Sequence, residues 1–96
     1  MDDLQVLWQI HRDADWPPFN DPNQGELMTL DTVISGCMLY YLDSPEGLDA
    51  QRVAMVTDCL DQLDGLIPGL ADEAAVAYFL RLRSLGRLLL NTRRPA

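Results

Sequence analysis

Residues 49–67 read DAQRVAMVTDCLDQLDGLI, and this stretch decides the fold. Val53, Val56, Leu60, Leu63 and Ile67 recur in alternating steps of three and four. That spacing lays a narrow apolar seam along one side of a helix, the pattern of a helix packed lengthwise on neighbours. Asp49 stands where a cap belongs, its carboxylate able to take an N–H that the first turn leaves open. Leu48 and Val53 have the spacing of a hydrophobic staple across that cap. Asp64-Gly65 offers a stop, so the spacing predicts a helix over 49–64.

Upstream, Leu27, Leu30, Val33, Ile34, Cys37, Met38 and Tyr41 share one face at helical spacing and predict a helix over 24–43. Asn23 and Glu26 have capping-box spacing at its start. Asp43-Ser44-Pro45 should end it, because the residue before a proline disfavours the helical conformation. Downstream, Pro68-Gly69 marks a turn and Asp72 a cap, giving a third helix within 70–91. Its apolar face holds Ala75, Tyr78, Phe79, Leu82, Leu85, Leu89 and Leu90. Gly86 lies on that face, where a missing side chain admits another element closely.

Residues 1–23 form an N-terminal segment and a proline-rich loop. Leu4, Leu7, Trp8 and His11 fit a helix, whereas Leu4, Val6, Trp8 and Ile10 fit a strand equally well. Asp2 or Asp3 could cap a helix, and no partner strand is evident elsewhere. Pro17, Pro18 and Pro22 exclude a helix from the loop that follows. The expected fold is therefore all-α: one domain over 1–96, a small three-helix up-down bundle with a short N-terminal helix or extended segment packed across it.

The chain has 96 residues and a net charge of −8. Residues 1–75 carry all 15 acidic residues but only Arg12 and Arg52, while 76–96 carry Arg81, Arg83, Arg87, Arg93 and Arg94 and no acid. A body this acidic repels phosphate and argues against a nucleic-acid partner. The longest apolar run, Ala74 to Leu80, is far short of a membrane span. The acidic start Met1-Asp2-Asp3 does not open a secretory signal, and a cytoplasmic location is expected. Cys37 and Cys59 fit buried free thiols in a reducing compartment.

Five groups of residues are candidates for chemistry or binding. Asp58, Asp61 and Asp64, three residues apart, could offer carboxylates to a divalent cation, but no second helix supplies a matching acidic motif, and a solvated face explains them better. Asp13, Asp15, Asn20, Asp21 and Asn23 do not follow a calcium-loop pattern and fit turn chemistry. His11, the lone histidine, has no organised companions in sequence. Trp8, Trp16 and Phe19 are either interface anchors or a plug on the end of the bundle. Arg81 and Arg87, interleaved with Leu80 and Leu88, resemble the mixed apolar and arginine surface of a protein interface, and Met28 and Leu39 give the 24–43 helix a second apolar side.

No catalytic motif and no cofactor site emerge. The leading expectation is a non-enzymatic, self-associating interaction protein, a homodimer that binds a basic protein through its acidic surface. Immunity and inhibitor proteins include small acidic helical chains of this kind. The alternatives are an accessory subunit of a larger complex and a carboxylate-based metal protein or enzyme.

Overall fold

The structure, a computed structural model, describes residues 2–44 and 46–93. These residues form four α-helices: α1 (Asp3–Asp13), α2 (Gln24–Asp43), α3 (Ala50–Leu66) and α4 (Glu73–Leu90). One turn of 3-10 helix, Ile67–Gly69, joins α3 to α4, and no strand occurs among the described residues. The chain is all-helical. Pro45 and Arg94 lie outside the described residues.

The N-terminal segment is a helix for two local reasons. Asp2 caps it, accepting the Gln5 N–H at 2.8 Å. Its buried residues are Leu4, Trp8 and His11, one helical face, while Val6 and Ile10, which a strand would have turned the same way, are exposed. Asp49 and Asp72 cap α3 and α4 in the same manner, accepting from Arg52 N–H and Ala75 N–H at 2.9 Å each.

One expected cap and one expected boundary differ. The Asn23 side chain makes no cap bond. Asp21, two residues earlier, takes the Asn23 N–H at 2.8 Å and closes the turn into α2 instead. At the other end of α3, Gly65 does not stop the helix. It keeps a negative φ, and the chain runs on through Leu66 so that Ile67 reaches the core. Pro68, which has no N–H to donate, is the residue that ends the regular ladder.

The core gathers Leu27, Ile34 and Met38 from α2, Val56 and Leu63 from α3, and Phe79, Leu82, Leu85 and Leu89 from α4. Each such side chain fully withdrawn from water contributes about 1.5–3 kcal/mol. α4 touches each of the other three helices, which makes it the axis of the molecule. Pro17 is buried, and Trp16 and Phe19 settle on Phe79 with ring centroids 5.6 and 6.0 Å away. The proline-rich loop is thus a cover over the aromatic part of α4.

Two glycines permit close approaches of different stringency. Gly47, in the α2–α3 connection, has φ +105° and is buried where the loop meets the end of α4. A Cβ there would sit 1.6 Å from the Thr92 carbonyl oxygen, beside the bond that Leu48 N–H makes to that same oxygen at 3.2 Å. Gly86 faces the end of the Leu60 side chain, 2.9 Å from where its Cβ would be. Gly47→Ala is expected to lower stability by about 2–4 kcal/mol, because both backbone strain and a backbone clash oppose it. Gly86→Ala should stay within about 1 kcal/mol of wild type, since Leu60 can rotate and alanine favours the helix. Urea denaturation of the two variants checks the contrast, and equal effects would contradict it.

Candidate interaction surface

A polar cluster joins three helices inside the molecule. His11 of α1 is 4 % exposed, and its Nε2 lies 2.7 Å from Asp31 Oδ1 of α2. The Tyr78 hydroxyl of α4 donates to Asp31 Oδ2 at 2.7 Å, and Ser35 Oγ donates to Oδ1 at 3.4 Å. Arg81 Nε approaches His11 Nδ1 at 3.5 Å, and its guanidinium carbon stands 5.2 Å from the Tyr78 ring centre. With Arg81 donating to Nδ1, the ring proton belongs on Nε2 and points at Asp31. Both imidazole nitrogens are then engaged by Asp31 and Arg81. The cluster pins α1 onto α2 and α4.

Electrostatics agree with that role. Burial alone would raise the Asp31 carboxyl, but the hydrogen bonds from His11 and Tyr78 outweigh it and hold the group below its ordinary value of 3.8. Burial, and then the Asp31 carboxylate, push the Tyr78 hydroxyl well above the usual range, so it stays a proton donor. Burial also raises both cysteine thiols, which are free and inert in the interior.

A different side of the molecule is concave. The stretch 26–33 of α2 lies along the stretch 55–62 of α3, and between them runs a groove of about 400 Å³. Leu30, Val33, Met55 and Cys59 form its floor. Glu26, Thr29, Asp58 and Gln62 form its rim. The Thr29 hydroxyl is turned back onto the Gly25 carbonyl at 3.1 Å, which leaves the two carboxylates as the rim's ionic groups. Among the described residues no arginine lines the groove.

The acidic row of α3 does not converge. Each three-residue step turns a side chain by roughly 60° about the helix axis. Asp58 therefore reaches the groove, Asp61 faces solvent, and Asp64 accepts from Arg83 of α4 at 3.3 Å. Among the described residues no group of three or more His, Cys, Asp or Glu side chains is placed to hold a metal ion.

The residues read as an interface separate into two sets. Trp8 is a core residue, because its i, i+4 relation to Leu4 puts it on the buried side of α1. Trp16, Phe19 and Leu88 are partly buried against the core. Arg81 is drawn back over Tyr78 and His11, its long stem following the helix flank. Met28, Leu39, Leu80 and Arg87 are exposed. Sequence reasoning missed Asp31 and most of the groove. The one signal for Asp31 was that His11 and Tyr78, both polar-tipped, fell on core-facing sides and each needed a buried partner.

An all-helical chain with a buried polar clamp and an acid-rimmed groove is the class that fold and site define. Comparison with family models, with curated proteins and with solved structures gave no match.

Asp31→Ala leaves the His11 and Tyr78 donors without their acceptor and should cost about 2–4 kcal/mol in chemical denaturation. Adding Tyr78→Phe to it should cost less than the sum of the two single changes, since both act on one bond. The folded carboxyl lies below its unfolded value, so its contribution is complete above 3.8 and is lost as pH falls through the lower folded value. The acid limb of a stability–pH curve should therefore be shallower for Asp31→Ala than for wild type. An effect under about 0.5 kcal/mol, the size of a surface substitution, would contradict the clamp.

Proposed function

We propose that this chain is a non-enzymatic protein-interaction module that takes a basic protein partner on its acidic surface, a role of the immunity or inhibitor type. The observation that carries this reading is the α2–α3 groove: an apolar floor, carboxylates of Glu26 and Asp58 on the rim, and no basic lining. An apolar centre edged by charge is the anatomy of a partner surface, and the net charge of −8 sets the sign of the partner. An up-down course of α2, α3 and α4, which short connections favour, presents the groove along its length.

The test is affinity capture with the wild-type chain and with Glu26→Lys/Asp58→Lys as baits, followed by binding measurements on the purified partner. A basic protein held by wild type, released by about 0.5 M salt and not held by the double variant is the expected result. A partner indifferent to both salt and charge reversal would contradict the reading.

A second reading, self-association as a homodimer, is favoured by the exposed apolar side chains Ile10, Leu39 and Leu42 on other faces of the molecule. Light scattering should then give twice the chain mass, unchanged at about 0.5 M salt and halved by Leu39→Asp. A wild-type monomer at all concentrations would dispose of it.

A further inference from the structure

The groove between α2 and α3 has dimensions and chemistry that select among basic partners. Its lining spans eight residues on each helix, two turns or roughly 10 Å. A helix laid along it would present side chains one turn apart, about 6 Å, or two turns apart, about 10 Å. An extended segment would need backbone groups to pair with. From Leu27 onward in α2 and throughout 55–62 the backbone is committed to helical hydrogen bonds, so the walls offer no edge for a strand to pair along. A helix brings its backbone already satisfied.

The floor is soft. Met55, a floor residue still 39 % exposed, can change rotamer around a guest, and the Cys59 thiol remains neutral beside it. The volume of about 400 Å³ is at the lower end of ligand-sized cavities, room for a few large apolar side chains but not for a whole helix. Above the floor the two walls carry one carboxylate each, Glu26 on α2 and Asp58 on α3. A guest helix would thus be bracketed by negative charge on both flanks.

We propose that this groove seats one amphipathic helix of the partner, with two large apolar side chains one turn apart in the floor and Arg or Lys on either flank meeting Glu26 and Asp58. The proposal rests on the reading of the chain as a module for a basic partner. It adds what that partner must present: a helix with apolar residues at i and i+4 and basic residues beside them.

The probe is a designed helical peptide of about 16 residues, with Leu at i and i+4 and Arg on both flanks, long enough to hold helical structure. It is titrated into the isotope-labelled full chain and followed by NMR. Amide shifts should concentrate in 26–33 and 55–62. A scrambled peptide of identical composition, and the Glu26→Lys/Asp58→Lys chain, should each bind at least about tenfold more weakly. Both rim residues are exposed, so the double variant keeps its fold, which circular dichroism verifies. Val33→Glu, which places a charge in the floor, should abolish the shifts.

Absence of binding at millimolar peptide, equal binding of the scrambled peptide, or shifts centred elsewhere would overturn the proposal. So would concentration-dependent shifts at these residues without peptide, which would give the groove to a second copy of the chain. If a salt-sensitive basic partner is captured but the peptide leaves 26–33 and 55–62 unmoved, the helix seat fails and the interaction reading stands. If no such partner is captured while the peptide binds, the reverse holds.

Discussion

One carboxylate holds the arrangement of this molecule together. Asp31 sits on the flank of α2, between a histidine from α1 and a tyrosine from α4, and accepts from both at 2.7 Å. A polar ring buried as deeply as His11 is costly unless its nitrogens are bonded. Asp31 and Arg81 bond them from opposite sides, and Tyr78 takes the other carboxylate oxygen. A shift of α1 by one turn would take both His11 nitrogens from their partners while Tyr78 and Ser35 stayed on Asp31. The polar cluster makes the position of α1 specific.

The rest of the surface follows from that placement. α1 is held against α4 and beside the first half of α2, and the proline-rich loop closes over Tyr78 and Phe79. The arginines of α4 are partly consumed in this work, Arg81 over Tyr78 and Arg83 on Asp64. Among the described residues the side between α2 and α3 receives no covering element. Its carboxylates therefore face outward uncompensated by arginine, while those nearer α4 and the α2–α3 turn are paired: Asp64 with Arg83, Asp49 with Arg52, whose guanidinium also lies 3.7 Å over Tyr40. Charge asymmetry in the sequence becomes a local asymmetry on the surface.

Features set by neighbours in the chain were legible in the sequence. The caps at Asp49 and Asp72, the apolar faces of α2, α3 and α4 and the all-helical class all depend on spacings of three or four residues. Local competition misled at two points, where Asp21 displaced Asn23 at the start of α2 and the burial of Ile67 carried α3 past Gly65. The polar cluster was not legible, because its members are 20 and 47 residues apart and each alone is unremarkable. Trp8 was open to two readings until its helical partner Leu4 fixed which side it faced. The groove was hidden for another reason. Val33 belongs to a side that reads as core and Cys59 to the flank of the α3 seam, and a gap between two packed helices is a property of their separation, which periodicity does not encode.

Amide hydrogen exchange of α1 tests most directly whether Asp31 pins this helix. Wild-type amides of Asp3–Asp13 should be protected to an extent approaching that of α4. In Asp31→Asn, which keeps the size of the side chain but cannot accept both donors as a carboxylate does, protection should fall selectively across α1 while α3 keeps its own. Rapid exchange of α1 already in the wild type, or a uniform loss across all four helices in the variant, would contradict the central place given to this carboxylate.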